Sequence, residues 1–320
     1  MDQDKRSWKG DGTNAVRGLL MGAADVVPGV SGGTVALITG IYQRLITAIS
    51  HFDLTLLGYL RRRKWKQAAN HVALRFLCTL LFGIATGFLC MTVVMHKLLT
   101  HPETRSLAFA AFFGMILASG LLVVRMIQVR EKRDVIVPIA LGLIGAAFAY
   151  WLTELKPNYD ETNIPSHFYL FFCGSVAICA MILPGISGAM IALILGVYDY
   201  MIKIPGDLVQ GKDIDRGLVS IAAFGCGAII SLIFFSKFLR RLLERFPTPT
   251  MGLLCGLMLG SLPMLWPFFQ VRVVAGREQF ERFRPNAIDS HVVAVILIAI
   301  AGLLIVLAVD RLGRRTSKLV

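Results

Sequence analysis

The chain has 320 residues, of which 56% are hydrophobic and only 17% are charged, and its formal net charge is +13. Its mean hydropathy is +0.67. Soluble domains carry about 25% charged residues and disordered chains have low hydrophobicity, so the composition argues against an ordinary soluble enzyme and excludes a disordered chain. Apolar runs of about 20 residues recur along the sequence, which is the length that a helix needs to cross a bilayer. The sequence therefore predicts an all-α polytopic membrane protein.

Two of the eight apolar runs, 18–49 and 168–202, are longer than the others, and each is interrupted by Pro-Gly. A straight helix over the first run would be about 48 Å long, whereas the hydrocarbon core of a bilayer is about 30 Å thick. Because Pro-Gly ends helices and marks turns, we predict a re-entrant helical hairpin for each of these runs. The remaining six runs predict transmembrane helices over 72–95, 106–124, 135–153, 217–236, 250–270 and 291–309.

The two predicted hairpins repeat one sequence. Val27–Tyr42 aligns with Leu183–Tyr198 at a constant offset of 156 without a gap, and nine of the aligned positions are identical. A second correspondence, at offset 142, pairs Phe82-Gly83 with Phe224-Gly225 and continues into the following helices. We therefore predict two repeats of one design. The predicted segments are a cytoplasmic N-terminal segment over 1–16, a first repeat over 17–155, a second repeat over 156–310 and a cytoplasmic tail over 311–320.

The number of crossings and the loop charges predict how the two repeats are oriented. A hairpin returns to its own side, so each repeat crosses the membrane three times, and an odd number inverts the second repeat relative to the first. Lys and Arg are concentrated at both termini and in alternate loops such as Arg61–Lys66 and Lys237–Arg245. By the positive-inside rule these segments are cytoplasmic, and the basic residues serve topology rather than binding to nucleic acid. Inverted repeats, each a re-entrant hairpin plus three transmembrane helices, are typical of secondary transporters, and channels sometimes use the same device.

The hairpin tips carry the candidate binding site. Their glycines allow close approach of the backbone, and the first amides of a helix that restarts near Ser31 form an anion site with the helix dipole. The hydroxyls of Ser31 and Thr34 add donors, so two tips that face each other would hold one phosphate or carboxylate. The alternative is that Pro-Gly and the small residues only form tight turns and caps. The candidate residues are Pro28, Gly29, Ser31, Gly32, Gly33 and Thr34 in the first hairpin and Pro184, Gly185, Ser187 and Gly188 in the second.

Charged residues near the first hairpin are further candidates. Asp25 is the only charged residue between Arg17 and Arg44, and the aligned position of the second repeat holds a methionine, so the turn itself does not require an acid. A carboxyl group at membrane depth could carry a coupling proton, or it could cap a helix or pair with an arginine. Arg44 and Arg75 flank the apolar runs beside this hairpin and could neutralise a phosphate. The alternative for each arginine is a long side chain that extends to the membrane interface.

Enzymatic alternatives are weaker. The string Gly29-Val30-Ser31-Gly32 matches the pattern of intramembrane serine proteases, but that chemistry needs a base beside the serine, and the six histidines all lie in loops or at the ends of apolar runs. The sequence contains no Walker motif, metal-ligand cluster or dinucleotide fingerprint, so we expect no cofactor and no metal. A channel or exporter for small anions and a membrane enzyme acting on lipid phosphate stay open, as does the formation of a homo-oligomer.

The stretch Ala24–Thr34, followed by Gly40-Ile41-Tyr42, resembles the bacterial PopT-type polyprenyl-phosphate transporters, a family formerly known only as a domain of unknown function. The second motif, Pro184–Gly188 with Gly196-Val197-Tyr198, is similar to the same family, and the resemblance covers nearly the whole chain. One departure is Met190, which stands where the first repeat has a threonine. The segments Leu117–Ser119 and Leu259–Ser261 carry the resemblance further.

The resemblance implies that the protein binds undecaprenyl phosphate or another polyprenyl phosphate in the inner membrane of a bacterium. It implies translocation of this lipid from the outer to the inner leaflet, coupled to an ion or proton gradient. Such transport recycles the lipid carrier for peptidoglycan and other envelope polymers. The resemblance implies a transporter and not an enzyme.

Overall fold

The computed structural model describes residues 8–26, 31–100, 102–126, 135–155, 165–274 and 277–318. The helices of the first half are α1 (Trp8–Asp25), α2 (Gly32–Ile38), α3 (Tyr42–Ser50), α4 (Leu54–Arg61), α5 (Trp65–His71), α6 (Leu74–Thr100), α7 (Pro102–Met126) and α8 (Ile136–Glu154). The second half contains α9 (His167–Ile182), α10 (Gly188–Ile194), α11 (Tyr198–Val209), α12 (Ile214–Arg245), α13 (Pro247–Gly260), a 3₁₀ turn (Leu262–Leu265), β1 (Phe269–Val274), β2 (Arg277–Arg282) and α14 (Ser290–Lys318).

Six helices in the described ranges are long and apolar enough to cross a membrane, namely α6, α7, α8, α12, α13 and α14. Large apolar side chains such as Leu143, Phe234 and Leu297 are exposed on them, as expected for surfaces that face lipid. The prediction of an all-α polytopic membrane protein with these six helices is confirmed.

Several helix boundaries differ from the prediction, and one of them is the end of α14, which continues to Lys318 and so includes most of the predicted C-terminal tail. The helix predicted over 217–236 extends to Arg245, and the helix predicted over 250–270 ends at Gly260. The early end has a local cause, because Pro263 lacks a backbone N–H and restricts the residue before it, so the chain continues as a 3₁₀ turn. The loop that follows contains an antiparallel ribbon, in which Phe269 pairs with Arg282 and Val274 with Arg277. This ribbon was not predicted.

Each predicted hairpin contains two breaks rather than one. In the second hairpin α9 ends before Pro184, the chain turns at Gly185 with φ +88°, and a further turn at Gly196 with φ +72° separates α10 from α11. The first hairpin has the equivalent second turn at Gly40, also with φ +72°. Glycine adopts these left-handed conformations without the steric cost that a side chain would incur. Pro28 and Gly29, where the first break was predicted, lie outside the described residues.

The arms of each hairpin pack against one another, α2 on α1 and α10 on α9. The outer arm of the first hairpin is longer than predicted, because α1 begins at Trp8 and so extends into the predicted N-terminal segment. In each half this outer arm packs along the first long helix of the same half, α1 along α6 and α9 along α12. The two halves therefore place their hairpins in equivalent surroundings.

The other four spanning helices join the two halves, with α7 packed on α14 and α8 on α13. Gly114 lies directly against the carbonyl group of Ala299, and the equivalent Gly256 lies against that of Gly142. An offset of 142 relates Gly114 of α7 to Gly256 of α13, and an offset of 157 relates Gly142 of α8 to Ala299 of α14. Equivalent positions thus build the same interface twice, which supports the predicted repeat. The inversion of the second repeat across the membrane stays a prediction.

The packing also corrects one detail of the repeat alignment. Gly83 of α6 lies against the carbonyl oxygen of Ala15, and the equivalent contact in the second half joins Gly227 of α12 to Phe171. The offset at this interface is therefore 144, and the pairing of Gly83 with Gly225 was wrong by two residues. Gly225 has no other part of the described chain within 4 Å of its Cβ position, so it does not make this contact.

Candidate functional site

At the first tip, side chains of the same hairpin accept the hydrogen bonds of the amides that begin α2. Asp25, the last residue of α1, accepts a hydrogen bond from the amide of Gly32 through Oδ1 at 2.7 Å. Ser31 is the N-cap of α2, and its Oγ accepts a hydrogen bond from the amide of Gly33 at 3.1 Å. The amide of Thr34 donates to the carbonyl oxygen of Ser31 at 2.9 Å. The amides that were predicted to bind an anion therefore have partners within the chain, and the carboxylate of Asp25 lies where the prediction placed the anion.

The first tip contacts the end of α9 in the second hairpin. The Ser31 hydroxyl donates to the carbonyl oxygen of Met181 at 3.2 Å, and the Tyr42 hydroxyl donates to that of Ile182 at 3.1 Å. The approach is close, because a Cβ atom on Gly33 would lie 2.7 Å from the Ile182 carbonyl oxygen. The carbonyl groups that end α9 therefore have hydrogen-bond donors from the other half of the chain.

One further hydrogen bond joins the two tips directly, because the amide of Gly185 donates to Oγ1 of Thr34 at 3.1 Å. Gly185 is also pressed against α13, since a Cβ atom there would lie 2.6 Å from Cα of Met258. The structure thus brings Ser31, Gly33, Thr34 and Gly185 together at one crossing of the two hairpins.

The second tip differs from the first. Ser187 is buried and is the N-cap of α10, but no side chain of the described residues caps this helix. Met181 stands at the position equivalent to Asp25, and its Cβ atom lies 3.3 Å from the Cβ position of Gly188. The second tip therefore has no carboxylate comparable to that of Asp25. This difference makes the two tips chemically unequal although their sequences repeat.

An apolar groove of about 300 Å³ borders the second tip. It lies between α9, α10, α11 and α12, and its lining includes Ala177, Met181, Gly188, Tyr198 and Phe224. Half of its lining residues are glycine or alanine, and the side chain of Met181 is exposed. The groove can therefore accept an apolar chain from the lipid-facing side of these helices.

The two candidate arginines contact other residues of the first half. Arg75 donates through Nε to Oδ2 of Asp11 at 2.8 Å. Asp11 precedes Asp25 by 14 residues of α1, or about 21 Å along the helix axis. The guanidinium of Arg44 lies over the ring of Phe76, with Cζ 4.3 Å from the ring centroid. The structure therefore does not bring Arg75 to the tips, and it directs the Arg44 side chain towards α6.

Tyr42 was missed as a site residue, although the repeat contained a signal for it. Tyr42 and Tyr198 are identical at offset 156, yet Tyr42 was used only to define the repeat. Tyr42 is 2% exposed, and its hydroxyl links α3 to the end of α9. A buried tyrosine usually finds a hydrogen-bond partner, so a repeated tyrosine inside an apolar run indicated a polar contact at this depth.

Six spanning helices and two broken segments that cross in the interior define a multi-pass α-helical membrane protein. The chain belongs to the VCA0040-like family, described as undecaprenyl phosphate translocase-like, whose model matches residues 21–281. It is 38% identical over 275 residues to a polyprenyl-phosphate transporter of Vibrio cholerae, covering 85% of this chain and 83% of the relative. It is 27% identical over 269 residues to a polyprenyl-phosphate transporter of Staphylococcus aureus, covering 82% and 88%. No solved structure matches the chain.

Proposed function

We propose that this protein translocates undecaprenyl phosphate, or a closely related polyprenyl phosphate, from the outer to the inner leaflet of the bacterial cytoplasmic membrane. The observation that carries the proposal is the match to two relatives named polyprenyl-phosphate transporters over more than four fifths of the chain. The transported lipid would return to the synthesis of envelope polymers. Both termini would lie in the cytoplasm.

We assign the phosphate group to the crossing of the two hairpins. Backbone amides and hydroxyl groups are suitable ligands there, because an arginine at the bilayer midplane is costly. The uncapped start of α10 offers donors beside the apolar groove, which suits the isoprenoid chain of the same lipid. Arg44 and Arg75 would attract the headgroup from the membrane surface rather than hold it. The proposed binding residues at the crossing are Pro28, Gly29, Ser31, Gly32, Gly33, Thr34, Pro184, Gly185, Ser187 and Gly188.

Asp25 would couple transport to a proton. In the structure its carboxylate accepts the hydrogen bond of the Gly32 amide, which is a group that a phosphate could also use. A proton bound to Asp25 weakens this hydrogen bond and removes a negative charge from the membrane interior. The phosphate would then replace the protonated carboxyl group of Asp25 as the acceptor of the hydrogen bond from the Gly32 amide. A phosphate that enters would thus require a proton on Asp25.

Two observations favour lipid transport over the other activities. The Ser31 hydroxyl donates to a backbone carbonyl group, and the Asp25 carboxylate is engaged by an amide, so neither is arranged as a nucleophile and its base. The groove at the second tip is lined almost entirely by apolar atoms, which suits a lipid chain better than a hydrated small anion. These features favour a transporter over a hydrolase or an anion channel.

Proteoliposomes containing radiolabelled undecaprenyl phosphate provide the test. An impermeant phosphatase added outside measures the fraction of lipid in the outer leaflet, and the wild-type protein should make the inner pool accessible. Gly32→Leu should abolish this exchange, because a side chain at this position meets the Asp25 carboxylate at 2.7 Å.

Gly58→Leu is the matched control for this experiment, since Gly58 has no other part of the described chain within 4 Å of its Cβ position. This variant should exchange the lipid at the wild-type rate. Wild-type exchange by a folded Gly32→Leu protein would place the phosphate elsewhere. Failure of the wild-type protein to exchange the lipid under any gradient would refute the proposed function.

A further inference from the structure

Two buried polar groups on α12 have no hydrogen-bond partner within the described part of the chain. They are Oγ of Ser236 and Nε of Arg240. Ser236 is completely buried, with 0% of its surface exposed. The two residues are four positions apart and therefore lie on the same face of the helix, one turn from each other. Unsatisfied buried groups are rare in native proteins, so a pair of them on one face requires an explanation, and a bound polar ligand would supply their missing partner.

Helix α3 packs against α12 and supplies a third polar group. The Arg240 guanidinium donates through Nη1 to Oγ of Ser50 at 2.8 Å, and the Ser50 hydroxyl donates to the carbonyl oxygen of Thr47 at 2.8 Å. Ser50 is 2% exposed. We call Ser50, Ser236 and Arg240 the α3–α12 cluster. It places the unpartnered hydroxyl group of Ser236 beside a guanidinium group that Ser50 holds in position.

The carboxylate of Glu244 lies beside Arg240 and could compete with a ligand. Its Oε1 atom lies 3.5 Å from Nε of Arg240, which is too long for a good hydrogen bond, and its side chain is largely exposed. Glu244 therefore balances part of the charge but leaves Nε available. An exposed carboxylate can move away when a stronger acceptor arrives.

Helix α3 connects the α3–α12 cluster to the hairpin crossing. Tyr42, which contacts the second hairpin, Ile46 and Ser50 form one buried face of α3. Ser50 is eight residues beyond Tyr42, or about 12 Å along the helix. The cluster is also near the basic end of α12, which the loop charges predict to be cytoplasmic.

We propose that the α3–α12 cluster is a second binding site for the phosphate monoester headgroup, at the cytoplasmic end of its path. The identity of the lipid rests on the proposed function. The guanidinium of Arg240 and the hydroxyl group of Ser236 are donors that match the oxygen atoms of a phosphate in charge and chemistry. The site would receive the headgroup after it leaves the hairpin tips and hold it at the inner leaflet.

The first half of the chain does not repeat the buried serine of this cluster. The offset of 144 between α6 and α12 aligns Ser236 with Thr92, which is exposed and donates its hydroxyl hydrogen bond to the carbonyl oxygen of Phe88. The α3–α12 cluster is thus specific to one half. A headgroup site that occurs on one side of a repeated structure gives the two membrane faces different affinities for the lipid.

Binding measurements on the purified full-length protein in detergent test the proposal, with undecaprenyl phosphate, inorganic phosphate and phosphatidylglycerol as three separate probes. Arg240→Gln should weaken the binding of undecaprenyl phosphate by at least about tenfold, and Ser236→Ala by about threefold or more, as expected for lost hydrogen bonds to a charged group. Glu244→Gln should strengthen binding, because it removes the competing carboxylate. The matched control is Arg241→Gln, which changes an exposed neighbour and should bind as the wild type does.

The outcomes separate this proposal from the proposed function. Wild-type affinity in folded Arg240→Gln overturns the second site and leaves the proposed function intact. A Ser236→Ala protein with raised thermal stability and unchanged affinity assigns a structural role to the cluster and also overturns the site. Equal loss of phosphatidylglycerol binding in Arg240→Gln overturns the selectivity for a phosphate monoester.

Two further arms keep the proposal testable if a variant or a probe fails. Absence of undecaprenyl phosphate binding by the wild type refutes the proposed function, and inorganic phosphate binding that is lost in Arg240→Gln would still establish the anion site. Arg240→Lys replaces Arg240→Gln if the latter does not fold. It keeps the charge but loses the planar fork, so it should also weaken binding.

Discussion

At the scale of single residues, Asp25 combines a structural contact with a proposed functional one. Its carboxylate caps the start of α2 through the Gly32 amide, as the structural alternative expected. A cap requires only an oxygen acceptor, whereas proton coupling requires a group that can change its charge. The two roles therefore respond differently to replacement by asparagine.

Asp25→Asn should fold normally and should lose the dependence of lipid exchange on a pH gradient. The asparagine side-chain oxygen can still accept the hydrogen bond from Gly32, but the amide cannot take up a proton. Exchange by proteoliposomes is measured with and without an imposed gradient. Asp11→Asn is the control, since Asp11 pairs with Arg75 at the distant end of α1. A gradient dependence that persists in Asp25→Asn would contradict the coupling role.

Ser31 and Ser187 occupy equivalent positions but should respond differently to alanine. Ser31→Ala removes the cap of Gly33 and the hydrogen bond to Met181, so it should lower stability by about 1–2 kcal/mol. Ser187 makes no capping hydrogen bond, so Ser187→Ala should lower lipid affinity with little change in stability. Thermal unfolding and lipid binding of both variants provide the comparison. A large loss of stability in Ser187→Ala would assign a purely structural role to that residue.

At the scale of helices, hydropathy was sufficient to predict the six spanning segments, since it depends only on local composition. It could not reveal the turns at Gly40 and Gly196, because a glycine in an apolar run has the same hydropathy in a helix and in a turn. Their positive φ values, and their identical positions in the repeat, are what distinguish them. The contact between Arg75 and Asp11 was also beyond prediction, because it depends on how α1 packs along α6.

Gly114→Ala and Gly256→Ala should destabilise the protein to a similar extent, by about 1–3 kcal/mol each. At both positions an added Cβ atom would collide with the backbone of the neighbouring helix, and the two interfaces are equivalent. The melting temperature in detergent is the measurement. Gly225→Ala is the control, since its Cβ position is open, and it should leave stability unchanged or slightly raised. A clear difference between the two interface variants would argue against equivalent roles for the two halves.

At the scale of the whole molecule, the repeat predicted that the hairpins meet, and the contacts between Ser31 and Met181 and between Thr34 and Gly185 connect them. The sequence offered a helix cap as one role of Asp25 but could not select it, because the contact depends on how α1 and α2 are placed relative to each other. The predicted orientation of the protein in the membrane rests on the distribution of Lys and Arg among its loops. Helices α4 and α5 expose Leu54 and Trp65 beside the basic cluster Arg61–Lys66, as expected for a segment at a membrane surface, which the loop charges predict to be the cytoplasmic one.

Cysteine labelling should place the two faces of the protein on opposite sides of the membrane. In a background without native cysteines, Arg63→Cys should react with an impermeant thiol reagent only from the cytoplasm, and Arg284→Cys, just after the β-ribbon, only from the outside. Both residues are exposed, so access depends on topology. Labelling of Arg63→Cys from outside intact cells would contradict cytoplasmic termini and the inverted arrangement.

Two helices of the first half pack on helices of the second half, and this arrangement has a consequence for biosynthesis. Helix α8 packs mainly on α13, and α7 packs on α14, which follows all the other described helices. While the ribosome is still making the second half, α14 and α13 are not yet present to pack against the glycine-containing surfaces of α7 and α8. These surfaces then contact lipid or the insertion machinery. Maturation therefore waits for the C-terminal helix, and a chain truncated before Ser290 would retain an incomplete α7 surface that quality-control proteases can recognise.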